Sequence, residues 1–425
     1  MVSRRLSSFL ALPAAVAGVA AIALTTGMGD DYPGPACPGC DYAAPPIAAL
    51  LHLDLSRLFA VQPMMGSFSL LLRVPAALVA KLVAGGDLLW QYRLGAFVCL
   101  LGPAVLGVAL VRRMHGGVLP KLAVLALCVA NPLTFAALHW GHPEEPLAGA
   151  LCVGAVLLAG DRRPLAAGVV LGLAFATKPW AWLALPAVLL AAAGCRRTIL
   201  GAALGVGGAL TLPMLLGDPS RFLHQVGAFS VVDTGVTPFN VWWGFAHQGG
   251  EATVGGSAGA TWSIPATLAS ITHPLVILVA LSLSALAFHR RRPPQPERAL
   301  QLLALLLLLR CLLDPLSISY HHAPFLLALI ASEAVRRSWL LPFASLSVSA
   351  IVWAMTRYVL PLDDPDLAGR VYLGWSLPAA LYLGMSALGW PRRELTSPPW
   401  PAASSSSPLR SARDTTYLRA GSPPG

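Results

Sequence analysis

The sequence predicts an all-α, polytopic membrane protein with about twelve membrane helices, one pair of them short and re-entrant, and amphipathic helices on the outer side. Three observations predict it. Of 425 residues, 56% are hydrophobic and only 11% are charged, against about 25% charged in soluble domains; mean hydropathy is +0.68. The charges gather in short runs between long apolar stretches. Arginine pairs stand at the ends of those stretches, where topology signals belong. A water-soluble enzyme of this size is excluded. The formal net charge of +10 reads as orientation rather than as a nucleic-acid footprint. Only three of the 29 basic residues are lysine (Lys81, Lys121, Lys178) and Ala, Gly and Pro are abundant. That is the bias of a GC-rich genome and points to a bacterial plasma membrane.

The first apolar run, about 8–27, follows MVSRR as a signal peptide would. So many apolar runs come after it that it reads as an uncleaved first span. An outer loop then covers about 28–86, with Asp30, Asp31, Asp41 and Asp54 early in it. Within it, residues 45–60 carry Ile47, Leu50, Leu51, Leu55, Leu58 and Phe59 interleaved with His52, Asp54 and Arg57, the pattern of an interfacial amphipathic helix. Residues 67–84 are apolar but interrupted by Arg73 and Lys81. Counting them as a span would place every later arginine pair outside, so they read as a second surface or re-entrant helix.

Further spans are expected near 87–111, 118–138 and 145–160. The stretch 164–194 would run about 46 Å as one helix, too long for a hydrocarbon core of about 30 Å. It has Arg162 and Arg163 at one end and Arg196 and Arg197 at the other, with Lys178-Pro179 in the middle. Both ends are therefore cytoplasmic, and two short helices meet at a turn below the outer surface, where irregular backbone must face protein or a water-filled cavity. Spans follow near 198–217, 272–289, 299–313, 321–335, 338–360 and 370–390, with a long outer loop at about 218–271. Residues 1–390 make one membrane-embedded domain. The tail, 391–425, is SSSS-bearing and Pro-rich, reading as a disordered cytoplasmic end. With both termini inside, cytoplasmic segments hold 20 of the 29 basic residues and 5 of the 19 acidic ones.

Polar residues at membrane depth or at helix mouths are costly and mark function by default. In this topology they collect on the outer side. GDDYPGPACPGCDY follows the first span, with Asp30, Asp31 and Asp41. HWGHPEEP joins the third and fourth spans, with His139, His142, Glu144 and Glu145. The re-entrant turn supplies Lys178, and RCLLDPLSISYHH supplies Arg310, Asp314, Tyr320, His321 and His322. Carboxylates for proton abstraction beside cations for an anionic group equip a cavity for acid–base chemistry on a phosphorylated substrate.

Three passages resemble the GT-C class of integral-membrane glycosyltransferases, and within it the polyprenyl-phosphate-mannose-dependent mannosyltransferases (glycosyltransferase family 87). CDYAAPPIAALLHLDLSRLF resembles the family's Asp-led amphipathic helix. LAAGVVLGLAFATKPWAWLALPAVLL resembles its re-entrant passage ending in Lys-x-x-Pro. DPLSISYHHAPFLL resembles its passage with a His pair before a late helix. Together they cover about residues 41 to 335. The chain departs from the family pattern where Tyr42 follows Asp41 directly, where GHPEE stands for a Gly-Gln-x-Asn stretch, and where Tyr320 replaces a Trp.

The resemblance implies transfer of a sugar, mannose by family, from a polyprenyl-phosphate donor to a lipid or glycan acceptor at the outer face, with inversion. It implies Asp41 as the base, with Asp31 and Asp30 next in order. Lys178, Arg310, His321 and His322 would hold the donor phosphate; His142, Glu144 and Glu145 would contact sugar or acceptor. Paired outer acids could hold a divalent cation or act without one.

Plainer readings stand beside these. Asp30-Asp31 could be a solvated helix exit, Glu144 and Glu145 dipole-complementing acids of a helix start, and Arg310 and Asp314 an i, i+4 ion pair. Lys178 could snorkel, and the His pair could be interfacial hydrogen bonders. Cys37 and Cys40 form a CPGC that reads as a local disulfide, without the second pair a zinc site needs; the other five cysteines read as packing residues. Trp180/Trp182 and Trp242/Trp243 suit an interfacial belt. The rival function is a multi-pass transporter or lipid flippase, for which paired broken helices are expected; only the break at Lys178 is evident. Nothing suggests nucleic-acid binding, a P-loop or a haem site.

Overall fold

The computed structural model describes residues 2–26, 43–61, 66–192, 194–228, 235–254, 257–290, 295–362 and 364–389. The described chain is helical apart from one β-hairpin. Asp30, Asp31, Asp41, Cys37, Cys40 and the 391–425 tail lie outside the described residues.

The first span is α1 (Val2–Thr25). The expected amphipathic helix is two short ones, α2 (Ala44–Leu51) and α3 (Leu55–Val61), parted at His52–Asp54, where Leu53 takes a positive φ of 54°. Asp54 caps α3, accepting from Ser56 Oγ at 2.7 Å and from Arg57 N at 3.0 Å. Those two bonds hold its carboxyl below the usual value of 3.8.

Next comes α4 (Ser67–Ala84), a continuous helix long and apolar enough to cross a membrane. Gly66 N and Phe68 N donate to Thr177 O and Ala176 O, both at 2.9 Å. Its last residue leads within four positions to α5 (Leu88–Arg113), where Tyr92 Oη donates to Leu138 O. The sequence expectation is a surface or re-entrant helix; by length and composition α4 is one of the stretches that could cross a membrane. Arg73, which interrupts the apolar run, is buried at 1% exposure against Gly95.

The third span breaks into α6 (Val118–Val129) and α7 (Pro132–His139). Pro132 brings no N–H, and Asn131 bridges the gap. Its Oδ1 accepts from Thr134 N at 2.9 Å, and its Nδ2 donates to Leu127 O at 2.7 Å. Then follow α8 (Glu144–Gly160) and α9 (Pro164–Phe175). After α9 the chain turns at Ala176–Lys178, makes a 3₁₀ turn over Pro179–Ala184 and enters α10 (Leu185–Ala191). The expected break at Lys178-Pro179 is there. The end of α8 and the end of α10 both adjoin the segment that starts at Gln295: Gly160 lies against Pro296, and Leu190 lies with Gln295 and Arg298.

α11 (Arg196–Gly217) packs tightly on α9 because a Cβ at Gly168 or Gly172 would meet Ile199 O or Ala203 O at 2.6–2.7 Å. Small residues four apart let two backbones approach in this way. The long loop expected at about 218–271 holds more structure than the sequence suggested: α12 (Pro219–Ala228), a 3₁₀ turn Val241–Phe245, and antiparallel strands β1 (His247–Val254) and β2 (Ser257–Ser263). Completing the chain are α13 (Ala266–His289), α14 (Pro296–Leu313), α15 (Ala323–Arg336), α16 (Phe343–Ala354), running on as a π turn over Met355–Val359, and α17 (Pro365–Ala387).

α8, α14 and α15 form the centre. The LLALLLLL run of α14 is apolar all round, as a helix enclosed by neighbours must be, and Leu300, Leu303, Leu307 and Leu308 are fully buried. The surrounding helices turn large apolar residues outward: Leu12, Leu78, Leu212, Ile277, Leu278, Leu281 and Leu381 are exposed. Such faces in sequence order around a dry centre mark contact with lipid. Five helical stretches, α4, α5, α6–α7, α11 and α13, are long and apolar enough to cross a membrane by length and composition.

The two ends of the bundle differ in charge. At one, Arg113 pairs with Asp161, Gly116 N donates to Ser338 O, Arg290 Nη1 donates to Leu388 O at 2.8 Å, and Arg336 pairs with Glu297 at 3.0 Å. Arg112, Arg162 and Arg337 adjoin these contacts in sequence. At the other end lie the buried acids.

Candidate functional site

The site is assembled from three connections at the end opposite the arginine pairs. The first is the α7–α8 turn. Gly141 closes α7 with φ +73°, a left-handed conformation that glycine adopts at helix C-termini without cost from a Cβ. His142 and Pro143 follow, and Glu144 and Glu145 begin α8. The second is the broken helix, which presents Lys178 and Trp180. The third is the end of α14 with the 3₁₀ turn Ser319–His322, which presents Arg310, Tyr320 and His321.

Glu144 is 0% and Glu145 2% exposed, yet both face cations. Lys178 Nζ lies 2.9 Å from Glu144 Oε1 and 3.3 Å from Glu145 Oε1. His142 Nδ1 reaches the same Glu144 oxygen at 3.0 Å. Trp180 Nε1 donates to Glu145 Oε1 at 3.3 Å, and Arg310 lies over the Trp180 ring, 4.8 Å from its centre. Arg310 Nη1 stands 3.7 Å from Glu145 Oε2, close enough for an ion pair but too far for a hydrogen bond. Two carboxylates and two cations thus balance one another, as buried charges must.

The cluster is not saturated. Glu144 Oε2, Glu145 Oε2 and Arg310 Nη1 are buried with no hydrogen-bond partner. Buried polar atoms without a hydrogen bond each cost about 1–3 kcal/mol, and three of them coincide in this one cluster. Lys178, Arg310 and His142 keep about a tenth of their side-chain surface exposed.

The aromatic edge is ordered by stacking. His142 stacks on Tyr320 with centroids 5.0 Å apart, and His321 meets Tyr320 edge-on at 4.7 Å. His322 is placed differently from its neighbour. Its Nδ1 lies 3.2 Å from Ile318 O and Ser319 O, its Nε2 2.9 Å from Tyr372 Oη, and Phe239 and Trp375 surround it. Both ring nitrogens are committed, so His322 anchors the turn and does not reach toward a phosphate. The reason is the 3₁₀ geometry, which sends adjacent side chains about 120° apart.

Of the ten residues singled out from sequence, His142, Glu144, Glu145, Lys178 and Arg310 form one cluster, with His321 beside it. Arg310 pairs with Glu145 and not with Asp314, which instead caps its own turn by accepting from Leu316 N at 3.0 Å. Lys178 is buried at 8% exposure and does not snorkel. Among the described residues no three His, Cys, Asp or Glu side chains gather as metal ligands would; Asp30, Asp31 and Asp41 are not among those residues.

Sequence reasoning missed Trp180, read there as a belt residue, and Asn240. Asn240 Nδ2 donates to Pro315 O at 2.7 Å, its Oδ1 accepts from Trp242 N, and Trp242 Nε1 donates to Leu313 O at 2.7 Å. These bonds strap residues 240–242 onto the connection that carries His321. A lone polar residue in PFNVWW gave the only sequence signal.

No protein-family model matches this chain, and no curated protein matches it.

Proposed function

We propose that the chain is a polyprenyl-phosphate-dependent glycosyltransferase, moving a sugar, with mannose the first candidate, to a lipid or glycan acceptor at the outer face of the plasma membrane. In this reading twelve helical segments are membrane-embedded, the arginine-rich end is cytoplasmic, and the cluster around Lys178 opens outward. The observation that carries it is the buried Glu144–Lys178–Glu145–Arg310 chain, in which three polar atoms make no hydrogen bond. It sits on a broken helix, in the order of motifs that resembles the GT-C class.

The chemistry follows from the groups available. An acceptor hydroxyl oxygen bonds to the anomeric carbon as the bond from that carbon to the donor phosphate oxygen breaks. The hydroxyl proton passes to a carboxylate, Asp41 first, with Asp31 and Asp30 as the other outer acids. The electron pair leaves with the polyprenyl phosphate. Lys178 has N–H capacity beyond its two carboxylate contacts, and Arg310 beyond its one. Together with His321 they offset the charge that develops on the departing phosphate. Glu144 and Glu145 fix Lys178 with Oε1 and leave Oε2 to accept sugar hydroxyls. Attack opposite the leaving phosphate inverts the anomeric centre.

The test is to incubate membranes overproducing the protein with radiolabelled polyprenyl-phosphate mannose and host lipid extract. Wild type should transfer label, Asp41→Ala should transfer about a hundredfold less or lower, and Glu145→Gln should be impaired while still folded. Equal transfer by Asp41→Ala would move the base to Asp31 or Asp30. No transfer by wild type from mannose, arabinose or glucose donors would overturn the transferase reading in favour of a transporter or lipid flippase.

A further inference from the structure

Residues 237–242 of the long loop lie across the connection between α14 and α15, and their donors satisfy its backbone. Thr237 N donates to Pro315 O at 2.9 Å, and Thr237 Oγ1 donates to Ser317 O. Asn240 is fully buried and donates from Nδ2 to Pro315 O at 2.7 Å; Trp242 Nε1 donates to Leu313 O at 2.7 Å. Leu313 is the last residue of α14, so its carbonyl has no N–H partner within the helix. Within the connection itself, Ser317 N bonds Asp314 O at 3.2 Å and His321 N bonds Ile318 O at 3.1 Å. Such bonds close turns of a few residues. They do not set where the connection sits against the bundle, and the bonds from 237–242 do. Arg310 lies in the last turn of α14, just before this connection, and His321 lies in the 3₁₀ turn just after it.

The donating segment is itself held in place. Asn240 Oδ1 accepts from Trp242 N at 2.9 Å, and its Nδ2 also reaches Thr237 O at 2.7 Å, which fixes the amide at both ends. Trp243 Nε1 donates to Asp366 Oδ1 at 2.8 Å, at the start of α17, where a Cβ on Gly369 would meet the indole at 2.7 Å. Phe239 meets Tyr372 edge-on at 5.6 Å, and that tyrosine holds His322. We propose that Thr237 and Asn240 are positioning residues, which hold Arg310 and His321 in the cluster around Lys178 through the connection they bond. Their effect on the reaction rests on the transferase reading; their effect on the placement of His321 does not. Misplacing a group by about 1 Å at such a site costs up to about a hundredfold in rate.

The test uses the whole chain in mild detergent and four variants. Thr237→Val keeps the shape and loses the hydroxyl; Thr237→Ser keeps the hydroxyl. Asn240→Asp keeps the acceptor for Trp242 N and loses the donor to Pro315 O. Trp243→Phe breaks only the bond to Asp366. Two quantities are read: the rate at which diethyl pyrocarbonate modifies His321, by mass spectrometry, and kcat and KM for transfer from polyprenyl-phosphate mannose. Thr237→Val and Asn240→Asp should speed modification and lower kcat by about tenfold, with KM within about twofold. Thr237→Ser should match wild type, and Trp243→Phe should unfold at lower temperature with both quantities unchanged. An unchanged rate of His321 modification in Thr237→Val and Asn240→Asp would overturn the proposal. So would equal changes in Trp243→Phe, which would reduce the segment to general stability. Faster modification with unchanged kcat would overturn the role in the reaction. A wild type that transfers no sugar, while Asn240→Asp still speeds modification, would sink the transferase reading alone and uphold the placement of His321.

Discussion

Replacing Lys178 by methionine would leave Glu144 with His142 and Glu145 with Trp180 and the more distant Arg310, and remove the one ammonium that faces both. Breaking a buried charge pair by removing one partner costs about 3–5 kcal/mol, so Lys178→Met should lower thermal stability in detergent by several degrees. Adding Glu144→Gln should restore part of the loss, because Arg310 then faces the single remaining carboxylate, Glu145, at 3.7 Å. A coupling of about 0.5–3 kcal/mol between the two substitutions, measured as a double-mutant cycle, checks this. Additive losses would mean that Lys178 does not pair with Glu144 in the membrane. At this scale sequence reading found the participants and not the pairings. Five charged or imidazole residues stood out because they sit in a chain with 11% charge. That Arg310 turns to Glu145 rather than to Asp314, and that His321 and His322 part company, depends on where side chains from distant segments meet.

At the scale of elements, α4 acts as a clamp on the broken helix. Its first N–H groups satisfy the carbonyls of Ala176 and Thr177, orphaned where α9 ends, directly before Lys178. The contact requires glycine at 66, since a Cβ there would lie 2.1 Å from Ala176 O. Gly66→Ala should therefore force α4 away from the turn, destabilise the protein by about 1–3 kcal/mol and reduce transfer by displacing Lys178. Gly201→Ala in α11, where a Cβ meets nothing within 4 Å, should be neutral or stabilising by up to about 1 kcal/mol. Thermal unfolding and transfer assays on both variants check the pair; unchanged activity in Gly66→Ala would remove the clamp. The sequence indicated helices at nearly every place where one forms, because apolar runs bounded by Pro, Gly or arginine pairs leave few alternatives. It did not indicate the hairpin of β1 and β2, whose Gly- and Ser-rich strands carry no alternating pattern, nor the split of the amphipathic segment at Leu53.

Across the whole molecule, orientation is the property to measure first. Among the described free cysteines only Cys195, at the start of α11 on the arginine-rich end, is exposed. With the other cysteines replaced, a membrane-impermeant maleimide should label Cys195 only after cells are permeabilised, while His247→Cys in the hairpin should label before. The reverse pattern would turn the cluster toward the cytoplasm and end the outer-face transferase reading. The sequence by itself determined the helical class, the embedded character, the break at Lys178 and the sorting of arginine to one end. These follow from hydropathy and charge order along the chain, quantities that need no third dimension. Only the tertiary structure decided which acids meet which cations, and that the start of α4 bonds the carbonyls directly before Lys178. Those outcomes depend on the angles at which helices far apart in sequence pack, and no one-dimensional pattern carries that information.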